Sequence, residues 1–497
     1  MRSDLVRSLK SARRHSLGAG TALALSLALG LLPIACATNP ATGKLQLSFI
    51  GEASEISMGQ EADREIVASM GIYEDPDIQA YVERMGKNLA AKSERPGLPW
   101  TFRVLDDPIV NAFALPGGYI YITRGILAYL NSEAELATVL GHEIGHVTGK
   151  HSVNRISKSQ LASFGMGVGM AVSSELRRFG GLAETSLGLL FLKYSRDDER
   201  EADNLGLRYM DRARYDPGEM PKVFAMLGSV SGPEDGGRIP SWLSTHPDPE
   251  DREARAKEGI SRLGKSTGDL RVGRDTYLDR IDGLVFGEDP RHGYFKDRDF
   301  YHPEFEFQLR FPDGWKTVNQ RQRVAGVSPN KKAMLELTLD DADSNVGALE
   351  EFGAIERLVV IDRWDREINE VPSVWASFKI GDGTTVVLRG TVAFLKHGER
   401  VYRLLGYGRA QTWAEHEKTV KASLESFRRL TDSRVLNVQP ARIRTVKLSV
   451  DLSIQEFEKS YPSSVPGTTV ALVNQIRSDD RFPAGCTVKQ IVGGEIP

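Results

Sequence analysis

The chain has 497 residues, 40% of them hydrophobic and 26% charged, a balance that excludes a disordered or multi-span membrane chain. That length also excludes a single core, because cores stop growing earlier and chains then divide into domains. With 64 Lys and Arg against 67 Asp and Glu, no net field gathers a polyanion, and no nucleic-acid partner is expected.

Residues 1–36 differ from the rest. Arg2, Arg7, Lys10, Arg13 and Arg14 precede an apolar run from Leu17 to Leu32, followed by Pro33-Ile34-Ala35-Cys36. Basic, then greasy, then small is the order of an export signal. The segment around Cys36 resembles a bacterial lipobox, with Pro33 standing where Leu is usual; cleavage after Ala37 and an uncleaved anchor are the alternatives. Each puts the body outside the cytoplasm, and the lipobox reading implies a periplasmic protein held to the outer membrane by lipid on Cys36. The second cysteine, Cys486, then has no disulfide partner and is expected to be a buried structural thiol.

From Glu52 to Lys92, apolar residues at helical spacing (Ile56, Val67, Ile78, Val82, Met85, Leu89) predict two helices divided at Glu74-Asp75-Pro76-Asp77. Short strands follow at 102–105 and 118–123, then a helix opened by a capping box of Ser132 and Glu135. The Gly-rich apolar segment 161–192 lacks the ~20 continuous apolar residues of a membrane span. It reads as a packed helical hairpin or as a lid beside the site. A long helix over 197–210 ends at Asp216-Pro217-Gly218. Beyond about 263 the texture turns to strands: Phe305, Phe307, Leu309 and Phe311 alternate, as do Leu335, Leu337 and Leu339. Residues 384–395 face 401–407 across His397-Gly398-Glu399, and an amphipathic helix carries Trp413, Val420, Leu424 and Phe427.

The chemistry concentrates in His142-Glu143-Ile144-Gly145-His146. At about 100° per residue, helix positions four apart return to within about 40°, so both imidazoles leave one face and can reach one cation. Glu143 beside them can take a proton from metal-bound water. A catalytic zinc needs a third protein ligand and an open position. Ser152 stands where a third histidine of the extended HExxHxxGxxH pattern would be, and His151 is one residue early. The better donor is Glu199, with Asp203 four residues on as the acceptor for a ligand-histidine N–H. Asp198 and Glu201 read as solvated acids, and His151 as structural, on the far face of its helix.

HExxH, then about fifty residues, then Glu199 and Asp203 within Tyr194-Ser195-Arg196-x-x-Glu199-x-x-Ala202-Asp203, resembles the gluzincin family that includes the HtpX heat-shock protease, the Ste-type prenyl proteases, mitochondrial Oma and the periplasmic BepA and LoiP proteases. Two further blocks agree, Asn111 to Gly118 and Ser244-Thr245-His246-Pro247 followed by Arg252. The likeness covers about residues 38–263 and implies one zinc ion per chain on His142, His146 and Glu199. It implies that Glu143 activates the zinc-bound water, and that His246 and Arg252 help hold the tetrahedral intermediate or cap the metal when substrate is absent. His246 as a helix-capping loop residue is the alternative. Asn111, Ala112, Phe113 and Ala114 would line the cleft, where an extended substrate pairs by its backbone.

The expected architecture is multidomain α+β. A mainly helical metallopeptidase domain with a small edge sheet (37–265) precedes an α+β domain (266–432), a linker (433–440) and a last unit (441–497). That last unit is similar to a degenerate LysM module, with Val450 and Leu452 in place of the usual Gly and Thr, so a retained fold with or without weak peptidoglycan contact is open. The expected function is a zinc endopeptidase of envelope quality control that cleaves misfolded or misassembled envelope proteins, with unfolded or misassembled substrates and envelope assembly machinery as the expected partners. The competing reading is a chaperone or assembly scaffold whose site is held closed.

Overall fold

The computed structural model describes residues 36–165, 194–230, 242–246, 249–264, 269–382 and 385–497. The leader, and all but the start of the Gly-rich segment expected as a hairpin or lid, lie outside these residues.

A hairpin of β1 (Cys36–Thr38) and β2 (Leu45–Leu47) opens the fold. The helices α1 (Glu52–Met70) and α2 (Pro76–Ala90) divide where the sequence predicts. Asp75 caps α2, accepting from the backbone N–H of Asp77 and Ile78. Then β3 (Thr101–Leu105), β4 (Ala112–Leu115) and β5 (Tyr119–Thr123) form a sheet in the order β3-β5-β4, with β3 parallel and β4 antiparallel to β5. Gly117, at φ 80°, turns β4 into β5 against α1, where a Cβ would stand 2.7 Å from the Cα of Ile56.

After α3 (Arg124–Tyr129), the helix α4 (Glu133–Thr148) runs through the interior with all its residues buried. Ser132 caps it as expected, accepting from the N–H of Glu135. The reciprocal half of the expected box is displaced, because the Glu135 carboxylate accepts from Asn131 N at 2.6 Å and from the Gln475 side chain instead. The helices α5 (His151–Gly165), α6 (Arg196–Arg212), α7 (Met220–Val230), α8 (Trp242–Thr245), α9 (Pro249–Arg262) and α10 (Arg274–Ile281) surround it. One apolar core runs from Tyr73 to Val285, past the expected domain end at 265, and takes in Ile443 and Ile491 of the last unit.

In the second domain, β6 (Tyr294–Lys296), β7 (Asp299–His302) and β8 (Phe307–Arg310) pair antiparallel in succession, ahead of an antiparallel seven-stranded sheet with β9 (Lys316–Gln320), β10 (Arg323–Val327), β11 (Ala333–Asp340), β12 (Leu358–Ile368), β13 (Val371–Gly381), β14 (Val386–His397) and β15 (Arg400–Arg409) in the order β12-β13-β14-β15-β11-β10-β9. The helix over Trp413–Leu424 covers one face and the helix over Asn345–Gly353 the other. Alternation along β13 sends Trp375 into the first core, and Val374 and Ala376 into the second. The β12–β13 hairpin was not expected. Its turn places both Asn369 and Glu370 at positive φ, a conformation usually announced by Asn-Gly or Asp-Gly.

The segment expected as a linker is partly buried, since Val435 and Val438 pack with Tyr294 and Leu430. In the last unit, an antiparallel pair of strands, Arg442–Lys447 and Thr487–Val492, encloses the helices Ile454–Ser460 and Gly467–Val473. Cys486 is half-buried at the edge of that unit's core, less enclosed than expected. Among the described residues no helix is long and apolar enough to cross a membrane.

Candidate metal centre

Two helices make the site, and small residues let them meet. A Cβ on Gly145 of α4 would lie 2.8 Å from the carbonyl oxygen of Ala202 on α6, and one on Gly206 would lie 3.0 Å from the backbone nitrogen of His142. Each helical glycine costs roughly 1 kcal/mol relative to alanine. Here that loss allows the backbone approach through which a carboxylate on α6 reaches imidazoles on α4. Ser195 and Asp198 form a full capping box that starts α6 just before Glu199.

The expected convergence is present. His142 and His146 bring their Nε2 atoms to 3.0 Å of each other. Glu199 Oε1 stands 3.4 Å from His146 Nε2, and Oε2 stands 3.5 Å from His142 Nε2. His246, following α8, places Nδ1 2.9 Å from Glu199 Oε1 and 3.2 Å from His142 Nε2. Candidate ligand atoms of His142, His146, Glu199 and His246 all lie within 4.8 Å of one another, and all four residues are buried.

Such a cluster does not satisfy itself. Both carboxylate oxygens of Glu143, together with Glu199 Oε2 and His246 Nε2, are buried with no hydrogen-bond partner among the described residues. Each such group costs about 1–3 kcal/mol when left unmade. Three imidazoles and a carboxylate are a donor set that suits zinc, and one divalent cation among them would engage Glu199 and His246 while leaving the Glu143 oxygens facing the site. Burial drives the His146 imidazole well below its ordinary range, toward the neutral form that binds metal. Burial would raise Glu199, but the charges and hydrogen bonds of His246, His146 and Arg252 outweigh it and keep the carboxyl well below its usual range.

Behind the ligands, Asp203 Oδ1 meets His142 Nδ1 at 2.9 Å, as expected of an acceptor that orients the ring. Arg252 stands beside the same carboxylate. Its guanidinium, fully buried, lies between Phe224 and Trp242 at 4.3 and 4.4 Å from the ring centroids. It grips Asp203 through Nε at 3.0 Å and Nη2 at 2.6 Å, with Nη1 3.1 Å from Glu199 Oε2. That last contact lacks hydrogen-bond geometry, so it is an ion pair only. Arg252 therefore positions the carboxylates from behind. With Arg252 and His142 lowering it against burial, Asp203 stays ionised.

His151 keeps a structural place but leaves the far face, which held only while the helix lasted. The helix stops at Thr148 and Lys150 takes φ 56°, so the chain turns back and His151 Nδ1 comes to 2.9 Å from His146 Nδ1. Glu201, expected in solvent, is partly buried 3.4 Å from His151 Nε2. Asn111, Ala112, Phe113 and Ala114 are buried, the last three in β4 at the edge of its sheet. Phe113 stacks on Tyr121 at 4.8 Å, and Val110 O receives the Trp242 N–H at the end of that edge.

Residues 76–260 match the model of peptidase family M48. The mitochondrial metalloendopeptidase OMA1 of Schizosaccharomyces pombe is 30% identical over 238 residues, 46% of this chain and 68% of that protein. Its Arabidopsis thaliana counterpart is 32% identical over 41% of this chain and 39% of its own length. The beta-barrel assembly-enhancing protease of Yersinia pestis is 28% identical over 47% of this chain and 49% of its own length. For most of these relatives the chain spans about half their length or less.

Proposed function

The chain belongs to peptidase family M48, and from that premise we propose that it is a zinc-dependent endopeptidase cleaving misfolded or misassembled proteins of the bacterial envelope. The observation that carries this is Glu143, whose two buried oxygens have no hydrogen-bond partner and sit beside four candidate ligands. Zinc there would supply Lewis-acid polarisation of a peptide carbonyl and acidify water. His142, His146 and Glu199 would hold it, while Asp203 and Arg252 fix the orientation of those side chains. Glu143 takes the proton of the attacking water on its free carboxylate and returns it to the leaving nitrogen. An extended substrate adds to the edge strand β4 by backbone pairing, which suits unfolded chains of many sequences.

Support for the envelope comes from the basic and apolar leader ending at Cys36 and from the printed name of the Yersinia relative. The proposal puts the body in the periplasm, lipid-anchored to the outer membrane. Envelope assembly machinery is the proposed partner. Weak peptidoglycan contact through residues 441–497 is the lesser part, supported by that unit's two helices lying in sequence between its paired outer strands.

A second reading, a scaffold with a closed site, is favoured by His246, a buried fourth donor beside the other three that would compete with water for the position a catalytic zinc keeps open. Casein digestion by wild type, Glu143→Gln and His246→Ala, each with and without a chelator, separates the two. The endopeptidase reading expects chelator-sensitive cleavage that falls about 10²–10⁴-fold in Glu143→Gln and is not lost in His246→Ala. Equal residual cleavage in wild type and Glu143→Gln would leave only the scaffold.

A further inference from the structure

We infer that His151, Glu201 and Asn39 form a positioning chain that holds the His146 ring from behind, making the N-terminal hairpin part of the metal site's support. The inference rests on the metal-site reading above. His142 has the Asp203 carboxylate at its rear nitrogen, whereas His146 has His151, with Nδ1 atoms 2.9 Å apart. Two imidazole nitrogens bond only when one carries the proton. With His146 Nε2 turned to the other ligands, the consistent arrangement has His146 Nδ1–H donating to His151 Nδ1. His151 Nε2–H then donates to Glu201 Oε1 at 3.4 Å, and Asn39 Nδ2–H donates to the same oxygen at 2.6 Å.

Asn39 is completely buried, and it lies between the strands of the opening hairpin. Its side-chain N–H also reaches Gly149 O at 3.4 Å, as does that of Gln46 at 3.2 Å. These amides meet the carbonyl at the end of the ligand helix, where intrahelical partners run out. The hairpin thus touches the site twice, through the end of α4 and through Glu201. A ligand histidine whose other nitrogen is held by an acceptor keeps its ring orientation and tautomer, and losing such a partner weakens metal binding about 10–100-fold.

The test is zinc affinity of the full-length protein, by competition with a chromophoric chelator, together with the melting temperature of each metal-free form. His151→Phe should bind zinc about 10–100-fold more weakly, with His151→Gln recovering part of the loss because it restores an acceptor. Glu201→Ala and Asn39→Ala should show smaller losses in that order, with metal-free melting near wild type. Wild-type affinity in His151→Phe, or a loss that His151→Gln does not recover and that only tracks metal-free stability, overturns the inference while the metal site stands. Absence of zinc from the wild-type protein overturns both.

Discussion

Around the ligand helix the first domain buries charge, while the sheet domain that follows buries chiefly hydrocarbon. Glu55, Arg95, Arg124, Glu143, Glu199 and Arg252 are all within 6% of full burial in the first. In the second, the two faces of the seven-stranded sheet are filled by Trp375, Tyr402, Phe378 and Phe394 and their neighbours. Buried charge is costly unless paired, and around the site the pairing is complete only if a cation joins His142, His146, Glu199 and His246. Apolar burial needs no such partner. The first domain therefore trades stability for placed functional groups, and the second does not.

The sharpest way to break that contrast is Arg252→Met. Removing the guanidinium leaves Asp203 with only His142 and Glu199 with only the imidazoles of His246 and His146, and urea unfolding of the metal-free protein should show a loss of about 3–5 kcal/mol. Zinc should shrink that penalty, because the cation shares the same carboxylate; an equal loss in both forms would contradict the shared compensation. Trp375→Ala should also cost about 3–5 kcal/mol by cavity formation. Its penalty should be the same with and without zinc, and its zinc content should match wild type.

A smaller effect concerns a buried imidazole of the sheet domain, His302. Burial pushes His302 down to about 3, and its Nδ1 accepts the Phe305 N–H, so the folded ring is neutral. The unfolded chain takes a proton below its ordinary value of about 6.5. The stability tied to the neutral ring is therefore complete above that pH and is lost as pH falls toward 3. At pH 5 the loss should be about 2 kcal/mol, and His302→Gln should flatten the pH dependence of the urea midpoint over that window. An unchanged slope would show that other groups carry it.

What could be read from the sequence was what is local or periodic. The spacing of His142, Glu143 and His146 and the four-residue step from Glu199 to Asp203 are helix geometry, so the ligand set followed. His246 came only from the resemblance, since a lone histidine after a short helix carries no periodic signal. The support was not legible. Gly141, Gly145 and Gly206 look like helix weaknesses until the second helix is laid against them. Glu201 lies on the opposite side of α6 from Glu199, and only the reversal at Lys150 brings His151 to meet it. Asn39 is far away in sequence. The β12–β13 hairpin escaped because Asn369-Glu370 is an uncommon turn pair and the edge strand carries Asp362, Arg363, Asp365 and Arg366 in place of a clean apolar alternation.

The central claim is that one divalent ion is held by His142, His146 and Glu199, beside His246. X-ray absorption at the zinc edge, on protein loaded with one equivalent, tests it directly. The account predicts only nitrogen and oxygen neighbours at about 2.0–2.2 Å, outer-shell scattering from imidazole rings, and its loss in Glu199→Ala. Sulfur neighbours, or a zinc signal without imidazole scattering, would contradict it.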